Sequence, residues 1–348
     1  MRIAQVSTLL ERVPPERYGG VERIAAFLCD ELVAQGHEVT LYASGDSVTA
    51  AKLAPACPRA LRFAEDTPFR DYVGATYMKM MLEVLIDVDQ FDILHFHTGF
   101  YHLPTFHPHR HKSPTTIHMP LHLAPGADPI LDAFAHMPYV SISADQRSGK
   151  PTMNWLGTVH HGIPQHMFQL GPGDGDYLLF VGRIAPSKRP DRAIEIARAA
   201  GMPLKIAAKV DDVFRDYFEE TVEPHIDGHR VEFLGEVADP DKQELFGRAR
   251  ALLFPIDWNE PFGLVMIESM ACGTPVVAWD MGSVPEVIDE GVTGFRVLSI
   301  EAAVEAVGKA DALDRAAIRE VFDRRFTAAR MARDYVEIYQ RMLAGTGG

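Results

Sequence analysis

The sequence predicts an α/β protein made of two doubly wound parallel sheets. Three observations predict it. Short apolar runs alternate with segments of helical period, the alternation breaks near residues 169–176 and then restarts, and 348 residues suit two domains of ordinary size. Apolar residues make up 47% and charged residues 24%, the composition of a globular chain.

The elements follow in order. RIAQVSTLL opens as a strand bounded by VPPERYGG. GVERIAAFLCDELVAQGHEV then places Ile24, Phe27, Leu28, Leu32 and Val33 at helical spacing, with Gly36 as a left-handed C-cap. EVTLYAS returns as a strand, which makes a β-loop-α-β unit and a parallel sheet. YVGATYMKMMLEVLIDV reads as a helix, and FDILHFHT, TTIHMP and YVSIS read as strands. QLGPGDGD, rich in Gly and Asp, reads as a linker. Beyond it, YLLFVGR, PLKIAAK, VEFLGEV, ALLFPI and PVVAWD are predicted strands. PDRAIEIARAAG, VFRDYFEETVEPHI, DKQELFGRARA, FGLVMIESMACG and VPEVIDEG are predicted helices, and TAARMARDYVEIYQRMLAG is a long amphipathic one. Ligands of such sheets bind beyond the carboxyl ends of the strands, so a cleft between the two domains is the expected site.

Composition narrows the function. The net charge is −14, with −4 over residues 1–170 and −10 over the rest. That argues against general nucleic-acid binding, which depends on phosphate contacts, and against a broad basic surface for anionic lipid. No 18-residue uncharged apolar run is present, so no transmembrane helix is expected. The first residues carry Arg2, Glu11 and Arg12 and lack a secretory h-region. Cys29, Cys57 and Cys272 lie far apart, which argues against a disulfide framework or a cysteine-rich zinc site. A reducing cytoplasm is the expected setting.

NEPFGLVMIESMACGTPVVAWD is the most informative stretch. Glu260 and Glu268 are separated by seven residues. With a helix beginning near Phe262 or Gly263, Glu260 precedes its N-terminus and Glu268 lies about one and a half turns in. The amides of Gly263 and Leu264 and the helix dipole then suit a phosphate. Such a pair is also compatible with a solvent-facing helix. In FVGRIAPSKRP, Arg183 and Lys188 follow a strand, where two cations neutralise a diphosphate without a metal. Gly19 and Gly20, in YGGVER, permit close backbone approach to an anion.

Together these segments resemble the nucleotide-sugar-dependent family 4 glycosyltransferases of GT-B fold. GGVER, HHGIPQHMF, GRIAPSK, EPFGLVMIE, ACGTPVVA, GSVPEVI and GVTGF occur in that family's order over almost the whole chain. The resemblance implies two Rossmann-like domains facing across a cleft. The first covers 1–168 plus a helix at 327–348 that crosses back to it, and the second covers 169–326. It implies that Arg183 and Lys188 hold the donor diphosphate. Glu268 takes the ribose hydroxyls and Glu260 the donor sugar. Phe262, Gly263 and Leu264 offer amides, Val237 lies by the base, and Gly20 lines the diphosphate and acceptor side. His118, in TTIHMP, matches the family's active-site histidine. His118, Glu260, Arg183 and Lys188 form the implied catalytic set. Two departures stand out: EPFGL replaces the commoner EGFGL, and IAAKVDD replaces a glycine-rich turn, leaving Lys209 either a third cation or merely exposed.

Other readings carry less. Eight of the 15 histidines lie between His95 and His122, and no Asp or Glu occurs from 93 to 127, so a metal site there would need imidazoles alone. The triplets Asp87-Val-Asp89, Asp174-Gly-Asp176 and Asp239-Pro-Asp241 sit at a helix end, a linker and a turn and read as solvated carboxylates. No GxGxxG follows the first strand, which argues against a dinucleotide oxidoreductase. The expectation is a retaining hexosyltransferase that uses a nucleotide sugar, UDP-glucose first, with no metal and no cofactor. Its acceptor is expected to be a small molecule or saccharide hydroxyl, in carbohydrate biosynthesis. No nucleic acid is expected as partner, peripheral membrane contact is left open, and a monomer is the default. A GT-B-fold epimerase and a non-catalytic nucleotide-sugar-binding protein are the alternatives.

Overall fold

Among the described residues, thirteen strands form two sheets, and every pairing within them is parallel. The computed structural model describes residues 1–16, 19–63, 73–121 and 128–345. The chain divides into two compact units: Met1–Pro164 with Ala328–Gly348, and Gln165–Thr327.

The first unit holds β1 (Arg2–Val6), β2 (Glu38–Ser44), β3 (Lys52–Cys57), β4 (Ile93–Phe96), β5 (Thr115–Thr116), β6 (Tyr139–Ser141) and β7 (Trp155–Thr158). Their order in the sheet is β3-β2-β1-β4-β5-β6-β7, so the winding reverses between β1 and β4. Buried runs such as the ILHF of β4 suit a sheet covered on both faces. Helix α1 (Gly20–Ala34) ends as its sequence predicts. His37 N donates to Leu32 O, Gly36 N donates to Val33 O, and Gly36 has φ +85°. Helix α2 (Val73–Ile86) buries Tyr77, Met80, Met81 and Val84 against β1, β2 and β4 residues. The C-terminal helix, Ala328–Gly345, buries Met331, Ala332, Tyr335, Ile338 and Tyr339, one apolar stripe at helical spacing.

The second unit holds β8 (Leu178–Ile184), β9 (Leu204–Val210), β10 (Val231–Gly235), β11 (Ala251–Phe254), β12 (Val276–Trp279) and β13 (Gly294–Val297). Their order is β10-β9-β8-β11-β12-β13, a doubly wound sheet that reverses between β8 and β11. Its main helices are α3 (Pro190–Ala199), α4 (Asp239–Arg248), α5 (Leu264–Ala271), α6 (Ile300–Lys309) and α7 (Arg315–Arg325).

Several expectations change. TTIHMP contributes a strand of two residues. The helix expected over 213–226 is a broken series instead: a 3₁₀ turn at Asp212–Phe214, one α turn, a π turn at Phe218–Val222 and a 3₁₀ turn at Glu223–His225. Pro224 sits in it, and proline both lacks an N–H and clashes with the preceding turn. The Gly-Asp stretch read as a linker is an ordered strap. Gly171 N donates to Cys272 O, Gly173 N to Gly247 O and Gly175 N to Arg248 O. Asp239-Pro-Asp241 is the first turn of α4 and not a loop. Cys29, Cys57 and Cys272 are free and buried. Among the described residues, no helix is long and apolar enough to cross a membrane, and no group of three or more His, Cys, Asp or Glu side chains gathers as for a metal ion.

Candidate functional site

In the second unit, the residues singled out above lie at or beyond the carboxyl ends of β8, β9, β10 and β11, in small groups. Arg183 and Lys209 are register partners on adjacent strands, so their side chains share a face. Asp211 bridges them: its Oδ2 accepts from Arg183 Nη1 at 3.4 Å, and its Oδ1 lies 2.9 Å from Lys209 Nζ. Burial alone would raise the Asp211 carboxyl, but Lys209 and Arg183 outweigh it and hold it below the usual carboxylate range. Lys209 is therefore part of this cationic group and not a lone exposed side chain.

Lys188 closes a single 3₁₀ turn, Pro186–Lys188, after β8. Its ammonium is ion-paired with Glu260 Oε2, and both side chains are mostly buried, with 17% and 12% exposure. Trp258 Nε1 donates to the same Oε2 at 3.1 Å, and the Lys188 ammonium lies over the Trp258 ring, 4.5 Å from its centroid. The two loops are also joined by backbone, Asp257 N donating to Ser187 O at 2.8 Å. Neither Trp258 nor Asp211 stood out in the sequence, because each joins a near neighbour, Glu260 or Lys209, to a cation distant along the chain, Lys188 or Arg183.

Helix α5 begins at Leu264 with Gly263 as its N-cap, one residue beyond the expected start. Gly263 has φ +79°, a left-handed conformation that disfavours any Cβ. No side chain caps this end, so the first amides of the helix stay available to an anion. Phe262 turns its ring into the core, 6.2 Å from the Phe326 ring, and its carbonyl accepts from Ser283 Oγ. Glu268 is buried on α5, and its Oε2 lies 3.4 Å from Lys242 Nζ on α4. Lys242 also faces Asp239 at 3.4 Å. Val237, half-buried, lies in the turn between β10 and α4. Lys188 with Glu260, and Arg183 with Lys209, are thus brought together, while Glu268 stands with Lys242.

Gly20 and His118 belong to the first unit. Gly20 is the first residue of α1, and a Cβ there would meet nothing within 4 Å. In the same first turn, buried Glu22 accepts a hydrogen bond from the Thr8 hydroxyl. Tyr18 and His122 lie outside the described residues.

His118 is one member of a hydrogen-bonded chain of side chains that starts where the winding of the first sheet reverses. Gln5 Nε2 donates to Tyr339 Oη at 3.2 Å, and Gln5 Oε1 accepts from His97 Nε2 at 2.8 Å. His97 Nδ1 then accepts from His118 Nε2 at 2.8 Å, and His118 Nδ1 accepts from His161 Nε2 at 3.4 Å. On the other side of Gln5, Tyr339 Oη donates to His95 Nδ1, and His95 Nε2 donates to Thr116 Oγ1, both at 2.7 Å. Thr116 Oγ1 meets Tyr335 Oη at 2.9 Å. A neutral imidazole carries one N–H, so this direction sets one tautomer at each ring. Burial drives the pKa values of His95, His97 and His161 well down and takes His118 to about 3, which keeps all four neutral. The strand-end histidines are therefore a buried polar network. His107 lies apart from it, with its ring 4.8 Å from that of His136.

Known proteins share both halves of the chain. Residues 18–168 match the model of "Glycosyltransferase Family 4", and residues 163–315 match that of "Glycosyl transferases group 1". The D-inositol 3-phosphate glycosyltransferase of Mycolicibacterium paratuberculosis is 33% identical over 162 residues. That match takes in 41% of this chain and 35% of that protein, so it spans about a third of the relative's length. AviGT4, a glycosyltransferase involved in avilamycin A biosynthesis, is similar in structure, with a TM-score of 0.75 at 23% identity over 99% of this chain and 98% of that one. Anabaena HepE, solved with UDP and glucose, gives a TM-score of 0.72 at 16% identity over 98% and 100%. These structural likenesses establish the fold.

Proposed function

The chain belongs to the family 4 glycosyltransferases of GT-B fold, and from this we propose that it moves a hexose from a nucleotide diphosphate sugar to an acceptor hydroxyl, with retention and without a metal. UDP-glucose is the first donor to try, in keeping with the UDP and glucose of HepE. The observation that carries the reading is the cluster at the β8–β11 reversal. There Lys188 and Glu260 pair near a helix start without a side-chain cap, and Arg183 stands at the end of β8 with Lys209 and Asp211.

In this reading Arg183 and Lys188, joined by Lys209, face the diphosphate together with the amides of Phe262, Gly263 and Leu264. Negative charge grows on the diphosphate as the anomeric C–O bond breaks, and cations and amides already in place stabilise it where it develops. Glu260 meets the donor-sugar hydroxyls. Glu268 accepts from the ribose hydroxyls and keeps Lys242, since a carboxylate offers about four lone-pair sites. Val237 flanks the base, and Gly20 and His118 serve the acceptor side and the transferred sugar. Retention follows from a same-face route: the acceptor oxygen bonds to the anomeric carbon as the phosphate leaves, and the hydroxyl proton passes to the leaving phosphate.

A thermal-shift screen of UDP, GDP, ADP and their sugar conjugates in EDTA tests this. A ligand at a hundred times its dissociation constant stabilises the fold by about 2.7 kcal/mol. One nucleotide series is expected to shift the wild-type protein, and Arg183→Ala and Glu268→Ala are expected to abolish the shift. If no nucleotide shifts the wild type, the donor assignment is wrong.

A further inference from the structure

Trp258 touches both members of the Lys188–Glu260 pair in different ways. Its indole N–H donates to Glu260 Oε2, while its ring face lies under the Lys188 ammonium. An indole is positive at its edge and negative on its face, so each contact has the favourable sign. Both donors converge on Oε2, and Oε1 takes part in neither contact.

The Trp258 backbone is held independently of the ion pair. Glu260 N donates to Trp258 O at 2.9 Å, and Ser283 N donates to Glu260 O at 3.0 Å. A Cβ on Gly282 would fall 2.5 Å from Glu260 N, so that segment packs directly against the Glu260 backbone. Asp257, one residue before, faces Arg189 at 3.2 Å and Arg192 at 3.6 Å. Lys188 is a mobile point charge on a flexible stem, and an arriving diphosphate attracts it more strongly than one carboxylate does. A neutral indole has no reason to follow.

We propose that Trp258 is a positioning residue that holds Glu260 when Lys188 turns to the donor diphosphate, and that it thereby determines how tightly the donor sugar is gripped. The inference rests on the donor reading given above and adds to it the group that preserves the carboxylate's orientation. The signature is selective. The sugar's share of affinity depends on Trp258, and the nucleotide's share does not.

Calorimetric titration of wild-type and Trp258→Phe proteins with UDP and UDP-glucose tests it, with the GDP and ADP pairs run alongside. Phe keeps an aromatic face for Lys188 and deletes the N–H. UDP affinity is expected to stay within about twofold, while the gain from the attached glucose falls about tenfold, as for a lost hydrogen bond to a charged group. Trp258→Phe is expected to add nothing further in a Glu260→Ala background, because the two changes act through one contact. Equal weakening of UDP and UDP-glucose, or full additivity with Glu260→Ala, overturns the positioning role while leaving the donor reading in place. Failure of the wild type to bind any of the nucleotides overturns both.

Discussion

Four buried histidines of the first unit, and half-buried His118 with them, stake its stability on pH. Burial lowers the pKa of His95, His97, His102, His118 and His161, with His102 and His118 each at about 3. Each ring is neutral in the folded protein and takes up a proton on unfolding below its ordinary value of about 6.5. Their contribution to stability is therefore complete above that pH and is lost as pH falls toward the folded values. Each ring adds a slope of about 1.4 kcal/mol per pH unit once the unfolded state is protonated. Arg330, whose guanidinium donates to His160 O and His161 O, adds a positive charge that opposes protonation of His161. The denaturation midpoint is expected to fall steeply from pH 6.5 to 5. A flat midpoint from pH 7.5 to 5 would contradict the neutral network.

At the scale of elements, helix α5 carries the prediction. Its start depends on the left-handed Gly263, where a Cβ would lie 2.8 Å from Met266 Cε and 3.1 Å from Phe254 Cζ. Gly263→Ala is expected to cost about 1–2 kcal/mol of stability for the backbone conformation alone. It should also displace the first amides of the helix. Nucleotide affinity should then drop more than Tm would suggest, and titration alongside thermal unfolding separates the two effects. Unchanged affinity would remove the helix start from the proposed site.

The same helix shows what the sequence could reveal. Glu260, Gly263 and Glu268 are legible because one local segment sets their spacing, and Arg183 and Lys188 because they stand at the end of one strand and in the turn after it. Trp258, Lys242 and Asp211 are not, because each needs a partner that another crossover brings near: Lys188, Glu268 and Arg183. The same holds for Gln5, whose amide joins His97 to Tyr339. Strand β3, KLAPAC, is not among the expected strands; its Pro55 cannot serve a central ladder, and β3 is an edge strand. Helices α6 and α7 stand outside the sequence expectations, although Ser299 and Asp314 cap them with their side chains.

At the scale of the molecule, the first unit is built from both ends of the chain. Its last segment, Ala328–Gly345, supplies Tyr335 and Tyr339, both fully buried, to the network around His95. Ending the chain after Thr327 would remove two buried aromatics, each worth about 3–5 kcal/mol when deleted from a core. It would also leave Gln5 and His95 short of partners in a dry interior. Calorimetry of that truncated chain is expected to lose or sharply lower the transition of the first unit and to keep that of residues 165–327. Survival of both transitions would show that the last helix is dispensable.

That arrangement inverts the order of biosynthesis. A nascent chain emerges amino end first, and domains generally fold as units as they appear. Here the strands translated first meet their closing helix only after the whole second unit has left the ribosome. Throughout that interval the first unit waits unfinished, its sheet uncovered where Tyr335 and Tyr339 will later lie, and open to capture by a chaperone.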